Sequence, residues 1–437
     1  MLTTLKNAFK IKEIRNKILF TFGMLVVIRI GSQLPVPGVN TEFFSQWFAA
    51  QTGGAFSFFD AITGGSFMTM SILALNISPY ITSSIIMQLL TIAIPKLEEM
   101  QREGEDGRKK IATITRYVTV GLALIQSTAM AVGFGRQGYL IEYNALNVIT
   151  TVVALTAGSA FLMWVGERIT EKGIGNGISV VLVINIISQI PQDLRNLFTK
   201  FVFGKAPATA ILAAVIILAV IILTVVLVII LNAGVRKIPA QYAKKVQGRK
   251  MVGGATSNIP LKVNTAGVIP VIFASSIMEL PIIISTFVGY NGTGVWSEIL
   301  KGLSSQNWCN PNQPIYSIGL IFYVVMIVFF AYFYTSVSFS PVMIADNLKK
   351  QGGFIPGIRP GKATSEYLTN VLNYIIFIGA VGLIIVSVIP FIFNGVFGAN
   401  VSFGGTSLII IVSVILETVK SLESQMLVRN YKGFLED

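Results

Sequence analysis

Long uncharged apolar runs alternate with short polar stretches along the whole chain. A helix that crosses a bilayer needs roughly 20 such residues, and most of the runs approach that length. Ten spans can be drawn, over residues 18–34, 72–94, 112–133, 148–166, 176–191, 209–232, 265–288, 315–338, 369–393 and 403–421. The pattern predicts an all-α polytopic membrane protein with ten transmembrane helices.

The ten predicted spans divide into two groups of five. Because each group has an odd number of spans, the two groups have opposite orientations, and structural repeats would be inverted with a working site between them. No repeat is visible residue by residue, so this inference rests on the span count. We predict an N-terminal half of residues 1–190, an external hinge loop of residues 191–208, a C-terminal half of residues 209–421 and a tail of residues 422–437.

A short fragment between the first two spans does not fit this scheme. Residues 56–67 read FSFFDAITGGSF, which is apolar enough to enter a membrane and too short to cross one. The fragment carries an acid, Asp60, and a Gly64-Gly65 pair that would end a helix. We interpret it as a half-length helix, and a poorly ordered external loop is the alternative.

Composition and charge agree with a membrane protein and orient it. The chain is 53% hydrophobic and 12% charged, whereas soluble proteins carry roughly 25% charged residues. Of the 33 lysines and arginines, 27 fall on the side of the N-terminus and 6 on the other side. Because basic loops stay in the cytoplasm, both termini are predicted to be cytoplasmic. The first apolar run resembles a signal peptide, but no small-residue cleavage site follows it, and we interpret it as a retained span.

Two predicted cytoplasmic loops are longer than simple connectors. Residues 233–264 carry seven basic residues and no acid, and residues 339–368 are rich in glycine and proline and basic on balance. The charge is either ordinary basic charge near lipid headgroups or a docking surface for a large acidic or nucleic-acid-bearing partner. The length favours docking, since unstructured loops beyond about 12–15 residues tend to be functional.

Enzyme chemistry finds little support. The chain has no histidine and a single cysteine, Cys309, which removes the common general base and the usual zinc motifs. Gly361-Lys362 lacks the upstream glycine and the following hydroxyl residue of a phosphate loop, and the glycines of KGIGNGIS (172–179) lie at a membrane boundary. We predict no catalytic residue, no metal site and no cofactor.

Acids within the predicted spans are scarce, Glu279 and Glu417 being the main ones. A secondary transporter of a small solute, the alternative function, normally keeps ionisable groups at depth, and their scarcity disfavours it. Glu279 is either a helix-end residue that faces water or part of a gate. The spans contain isoleucines instead, such as Ile77 and Ile81 one helical turn apart, but packed or lipid-facing side chains have the same spacing.

Five stretches together resemble one family. They are LNISPYITSSIIMQLL (75–90), GERITEKGIGNGIS (166–179), PLKVNTAGVIPVIFASS (260–276), ADNLKKQGGFIPGIRPG (345–361) and FGGTSLII (403–410). In this order they closely resemble the SecY family, the channel subunit of the bacterial protein translocase, from the first span to about residue 430. The resemblance implies two inverted five-helix halves around a central hourglass pore, with both termini in the cytoplasm.

The resemblance also implies a pore ring and a plug. The positions that match the ring are Ile77, Ile81, Ile178, Leu182, Ile272 and Ile410. The fragment 56–67 matches the plug, with Phe56, Phe58, Phe59 and Ile62 capping the ring, Asp60 facing the water of the outer funnel, and Gly64 and Gly65 forming a hinge into the second helix. A narrow aliphatic ring offers a small ion no hydration, yet its side chains mould around a polypeptide.

A lateral gate and a docking surface follow from the same resemblance. The gate lies between helices two and three and helices seven and eight, with Gln88 and Asn264 at polar positions, although Gln88 could equally join a helix pair. Arg249 and Lys250 in the first loop and Arg359 in the second match positions that dock the ribosome and the SecA motor. The first loop carries Pro239 and Ala240 where relatives often have aliphatic residues, which leaves its shape open.

These observations together predict a passive protein-conducting channel of the general secretory pathway in a bacterial cytoplasmic membrane. It would take unfolded polypeptides across the membrane or release hydrophobic helices sideways into lipid. The expected partners are SecE-like and SecG-like membrane subunits, the SecA motor ATPase, the ribosome, signal peptides, nascent polypeptides and membrane lipids.

Overall fold

The computed structural model describes residues 9–50, 60, 63–242, 245–247, 250–252, 256–288, 294–397 and 405–432. A helix lies over each of the ten predicted spans, and the fold is mostly helical. The helices are α1 (Lys12–Gly31), α2 (Thr41–Ala50), α3 (Ser78–Ala93), α4 (Pro95–Arg102), α5 (Glu105–Arg136), α6 (Ala145–Lys172), α7 (Gly177–Phe201), α8 (Pro207–Ala233), α9 (Ile269–Val288), α10 (Val295–Leu303), α11 (Ile318–Ser338), α12 (Pro341–Lys350), α13 (Lys362–Phe397) and α14 (Gly405–Lys432).

Six helical runs in the described part of the chain are long and apolar enough to cross a membrane by themselves. They are α5, α6, α7, α8, the run Pro314–Lys350 around α11, and α13. α3 and α4 would together make a seventh, but the chain bends by 106° between them. The bend falls at Ile94, whose extended backbone is the conformation that a following proline, here Pro95, imposes. The number of ten spans stays a prediction.

The helices of the two predicted halves pack in the same pairwise pattern. In the N-terminal half, α3 packs against α5, α5 against α6, α6 against α7, and α1 against both α6 and α7. In the C-terminal half, α9 packs against α11, α11 against α13, α13 against α14, and α8 against both α13 and α14. Each of these helix pairs in the C-terminal half corresponds to the pair formed by the helices that lie five predicted spans earlier in the chain. This correspondence supports a division into two five-helix repeats.

The two halves also contact each other along two seams. On one seam α7 packs against α14, and on the other α5 packs against α9. The predicted pore residues come from α7, α9 and α14, which form these seams, and from α3 and the residue before it, which adjoin them.

The connection between the halves is shorter than the predicted hinge loop of residues 191–208. α7 continues through Pro191 to Phe201, and only residues 202–206 separate it from α8. The stretch after Pro191 keeps buried positions at helical spacing, Asp193 and Leu197 among them, and this packing outweighs the backbone hydrogen bond that a proline removes. The predicted loop is therefore wrong over most of its length.

The first basic loop folds as β-structure, which the sequence analysis did not predict. Its strands are β1 (Val235–Tyr242), β2 (Lys245–Gln247), β3 (Lys250–Val252) and β4 (Thr256–Lys262). β1 and β4 pair antiparallel, with Ile238 opposite Ile259, and β2 pairs with β3. Side chains alternate between the two faces of a strand, so Pro239 is exposed between the buried Ile238 and Ala240. The two residues that depart from the family pattern thus fit a strand.

The two basic loops form a single body, which we call the two-loop platform (residues 235–262 and 339–368). A short strand in the second loop, β5 (Gly353–Phe354), pairs with the end of β1 and extends the sheet in the order β4-β1-β5. Apolar side chains from both loops and from the start of α13 share one cluster, whose buried members are Ile238, Leu261, Ile355, Leu368, Val371 and Ile375. The orientation of each loop therefore depends on the other.

Candidate pore and its flanking segments

Four of the six predicted pore residues meet in one hydrophobic cluster, the α3–α7 cluster. Its buried members are Ile28, Leu73, Ile77, Leu162, Val165, Ile169, Val181 and Leu182, and the half-buried Ile81 and Ile178 pack against it. Ile77 is fully buried and forms the backing of this aliphatic wall. Ile81 and Ile178 keep part of their surface exposed.

Local structure explains how these side chains are placed. Ile77 immediately precedes α3, which begins with Ser78 and Pro79, and a proline in the first helical turn costs no hydrogen bond. Asn176 caps α7, because its side-chain oxygen accepts hydrogen bonds from the backbone N–H groups of Ile178 (3.1 Å) and Ser179 (3.5 Å). The cap places Ile178 in the first turn of α7, one turn before Leu182.

The other two predicted pore residues, Ile272 and Ile410, lie in a second cluster, the α7–α14 cluster. Its buried members are Val183, Ile186, Ile410 and Ile411, with Ile190, Val268, Ile272 and Val414 half-buried around them. This cluster fills the seam between the two halves. α7 contributes to both clusters, so the six residues occupy two aliphatic groups joined through α7.

A buried pair of asparagines, which sequence reasoning missed, lies next to the predicted pore residue Ile77. The side-chain amide of Asn185 donates to the side-chain oxygen of Asn76 at 3.0 Å, and both residues are buried. The hydroxyl of Ser159 donates to the Asn76 carbonyl oxygen at 3.1 Å. Asn76 has φ +51°, a left-handed conformation that asparagine tolerates better than most residues. Since Asn76 precedes Ile77, the pair fixes where α3 starts.

Asp60 does not face the water of a funnel, and that prediction is wrong. The residue is only 8% exposed. Its carboxylate accepts hydrogen bonds from the backbone N–H of Met68 and from the side-chain amide of Gln189 on α7, each at 2.9 Å. These two hydrogen bonds stabilise the buried carboxylate. The local sequence does not reveal the two donors. The other predicted plug residues Phe56, Phe58, Phe59 and Ile62 lie outside the described residues.

Gly64 and Gly65 form a turn that packs on α7. Both have left-handed backbone conformations, with φ +68° and +83°. A Cβ atom on Gly64 would lie 2.6 Å from the carbonyl oxygen of Asn185, so only glycine fits there. The Gly64 carbonyl oxygen accepts hydrogen bonds from Arg29 Nη1 and from the Ser188 hydroxyl, both at 3.3 Å. The turn does not lead directly into the second helix, because α3 begins only at Ser78.

An aromatic cluster holds the end of the same fragment. Phe67 is buried and meets Phe44 and Phe134 edge-on, with ring centroids 5.9 and 6.2 Å apart. Tyr139 adds edge contacts to Phe44 and Phe134. Such aromatic pairs contribute roughly 0.5–1.5 kcal/mol each beyond burial. The fragment is thus attached to α7 on one side and to α2 and α5 on the other.

The two predicted gate residues have different surroundings. Gln88 is exposed on α3. Asn264 is buried, and its amide donates to the side-chain oxygen of Asn232 at 2.9 Å. Asn232 in turn donates to the Ser413 hydroxyl at 2.9 Å. Asn264 therefore bonds within the C-terminal half, and the contact between the halves on this seam is the packing of α5 against α9.

Glu279 is buried within α9 and only 8% exposed. Of the two interpretations that the sequence left open, a water-facing helix end does not fit this position. A role in a gate stays a prediction.

The predicted docking residues lie on the two-loop platform. Arg359 is exposed in a turn bordered by Gly357 and Gly361, both of which have left-handed backbone conformations. The Thr364 hydroxyl donates to the Arg359 carbonyl oxygen at 2.9 Å and closes the turn onto α13. Lys250 begins β3, but Arg249 and the side chain of Lys250 lie outside the described residues.

Comparison with known proteins gives concordant matches. The SecY family model matches residues 71–419. The chain is 43% identical to the protein translocase subunit SecY of Streptomyces galbus, with 100% of both chains covered. It shares its fold with a SecY channel whose plug domain is described as stabilising the closed state and maintaining a membrane seal (TM-score 0.61, 17% identity, 94% of this chain and 92% of that chain). It also shares the fold of Sec61 in a canine ribosome–channel complex from the endoplasmic reticulum (TM-score 0.59, 16% identity, 94% and 92%).

Proposed function

The chain belongs to the SecY family, and on that premise we propose how it conducts polypeptides. It is a multi-span membrane protein and a protein-conducting channel subunit. We place it in a bacterial cytoplasmic membrane with both termini in the cytoplasm. The distribution of 27 basic residues on one side and 6 on the other supports this orientation.

The observation that carries the proposed mechanism is the aliphatic lining at the seams. We propose that the half-buried members of the two clusters, Ile81, Ile178 and Ile272, form the constriction together with Leu182 and Ile410, and that Ile77 supports it from behind. A ring of branched aliphatic side chains excludes a hydrated ion, because it supplies no ligands in place of water. The same side chains present no hydrogen-bonding group that a particular sequence has to match, so they can close around an extended polypeptide of any sequence.

The seam between α5 and α9 is the proposed lateral gate. It joins the two halves through helix packing, and the polar network of Asn264 holds α9 to its own half. Opening the seam therefore separates two apolar surfaces in lipid and leaves the buried hydrogen bonds intact. A hydrophobic signal sequence would replace the lost contacts by its own, so its binding offsets the cost of opening.

The fragment 56–67 is the proposed plug. Its described part is attached to α7 through Asp60 and Gly64, next to the residues of the α3–α7 cluster. Attachment of Asp60 and Gly64 by a few hydrogen bonds suits a segment that has to leave its place when a polypeptide passes, and the aromatic contacts of Phe67 would keep its end attached. Deleting residues 56–65 should leave translocation possible and make the closed channel leak ions.

The two-loop platform is the proposed docking surface for the SecA motor and the ribosome. The support is its basic charge, the exposed Arg359 on a stiff turn, and the shared core that presents both loops as one body. Arginine offers a fixed fork of donors that suits carboxylates and phosphates alike. SecE-like and SecG-like subunits are the proposed membrane partners, since two halves that separate along a seam need an outer clamp. In this scheme the hydrolysis of ATP belongs to the motor, and we propose that the channel itself is passive.

Reconstitution tests the proposal. Proteoliposomes that contain the channel complex, SecA, ATP and a preprotein should accumulate protease-protected preprotein, and omission of ATP is the control. Flux of a small solute without any protected preprotein would favour the transporter alternative and contradict the proposed function.

A further inference from the structure

Asp60 is a buried carboxylate with neutral partners. Its two hydrogen bonds come from the Met68 backbone and the Gln189 amide, and no ion pair reaches it among the described residues. A charge removed from water is costly unless an opposite charge or a full set of donors replaces the water. Two neutral donors replace only part of the hydration that the carboxylate loses on burial. The ionised form of Asp60 therefore opposes its own burial.

The charged groups around Asp60 add to this cost. Asp193 lies one turn after Gln189 on the same face of α7, is itself buried, and repels a negative charge on Asp60. From α1, Arg29 directs Nη1 at the carbonyl oxygen of Gly64 and not at the carboxylate. Burial raises the pKa of Asp60 to about 6, and repulsion by Asp193 adds to the shift.

We propose that Asp60 is a positioning residue whose charge keeps its segment, of which residues 60 and 63–68 are described, weakly docked on α7, and that uptake of one proton tightens this docking. The proposal deepens the plug role argued above and rests on it. In this proposal the protonation state of a single carboxylate sets the equilibrium between the docked and the released form of the segment.

The protonated side chain fits the docked position at least as well as the charged one. Its carbonyl oxygen still accepts from Met68 N–H, and its hydroxyl donates to the Gln189 side-chain oxygen once that amide rotates by half a turn. No charge is then buried, and the repulsion by Asp193 disappears. A released Asp60, exposed to water, would return to the ordinary pKa of 3.8.

The direction of the pH effect follows from these two values. Because the docked form has the higher pKa, it binds the proton more tightly than the released form. Docking therefore gains strength as the pH falls below about 6, and this gain is lost as the pH rises through that value. When the pH falls from 7.5 to 5, the ratio of docked to released segment should rise by about tenfold.

Ion conductance of the full channel complex in planar bilayers, without substrate, measures the released state. Acidification from pH 7.5 to pH 5 on the side predicted to be external should lower the resting open fraction by about tenfold. Asp60→Asn, a neutral side chain of the same shape, should show low conductance at both pH values. Asp193→Asn removes the repulsion, so the response should persist with its midpoint shifted to lower pH.

The exposed carboxylate of Glu142 provides a matched control, because Glu142→Gln removes an external charge that does not contact Asp60. This variant should keep the response of the unchanged channel. A response that survives in Asp60→Asn, or a higher leak of that variant at pH 7.5, would overturn the proposal.

Preprotein translocation by each variant is measured alongside. Normal translocation with a wrong pH response refutes the role of Asp60 alone, whereas a channel that neither conducts nor translocates counts against the proposed function.

Discussion

The side-chain amide of Asn264 donates a hydrogen bond of 2.9 Å to the side-chain oxygen of Asn232, and the side-chain amide of Asn232 donates one to the Ser413 hydroxyl. These three polar side chains join the turn that precedes α9 to α8 and α14. The same helix α9 forms the seam with α5 across which the two halves separate in our proposal. The network thus decides which part of the C-terminal half moves together with α9.

Replacing Asn232 by alanine tests this network. The change removes both hydrogen bonds and leaves the buried amide of Asn264 without its acceptor. We expect the free energy of unfolding in detergent to fall by about 1–3 kcal/mol. We also expect segments of marginal hydrophobicity to leave the channel for lipid more readily, because α9 is held less firmly.

Ser413→Ala is the matched control, since it removes only the terminal hydrogen bond. It should have the smaller effect, and the double variant should be no worse than Asn232→Ala alone. Lower stability with an unchanged threshold for membrane insertion would show that the network supports the fold and has no part in the gate.

Arg359→Glu tests the docking surface. The side chain is exposed, and its turn is held by a hydrogen bond from the Thr364 hydroxyl to the Arg359 carbonyl oxygen, so the substitution should leave folding and membrane assembly unchanged. Reversing the charge should strongly reduce SecA-driven translocation and weaken SecA binding, and a binding assay with channel-containing vesicles measures the second effect. Lys362→Glu, three residues further on and also exposed, is the matched control for charge. Equal loss in both variants would indicate general electrostatic attraction and contradict a specific role for Arg359.

Gly64→Ala tests the close contact between the proposed plug and α7. The left-handed conformation alone costs a residue with a Cβ about 1–2 kcal/mol. At Gly64 the added atom would also press on the Asn185 carbonyl oxygen, 2.6 Å away, and should displace the turn. We expect a clear rise of the resting ion conductance.

Gly204→Ala separates the two effects. Gly204 also has a left-handed conformation, φ +73°, but nothing lies within 4 Å of the added atom. It should lower the thermal stability slightly and leave the conductance unchanged. The same conductance in both variants would mean that the contact with Asn185 does not hold the segment.

Most of the helices could be predicted from the sequence, because the bilayer imposes a fixed length and an apolar composition on each spanning segment. Ten apolar runs indicate helices at the right places, because length and hydropathy dominate any segment that crosses lipid. The paired strands β1 and β4 were missed, because basic residues and a proline on their exposed face hide the alternation of Ile238 and Ala240. The end of α7 was missed because the predicted fifth span stops at residue 191, although tertiary packing continues beyond Pro191.

The site was predicted less completely, for a related reason. Motifs identify the family and thereby predict the positions of the ring, but hydrogen bonds between distant side chains leave no local pattern. Asp60 and Gln189 are 129 positions apart, and Asn76 and Asn185 are 109 apart. Only the fold brings these partners together, and this is why an inward-facing Asp60 was not expected.

Polar substitution of the aliphatic clusters tests the pore. Ile81 and Ile272 are half-buried members of the two clusters on either side of α7. Replacing both by serine adds hydroxyl groups that can take the place of hydration water around an ion, so the resting ion conductance should rise. Ile222→Ser on α8, where the isoleucine is 54% exposed, makes the same chemical change away from both clusters and should leave the conductance unchanged. Because the two pore residues are only half-buried, the channel should keep its fold, which preprotein translocation by the variant verifies. An unchanged resting conductance would place the ion barrier elsewhere, or show that the segment docked by Asp60 seals the channel without the ring.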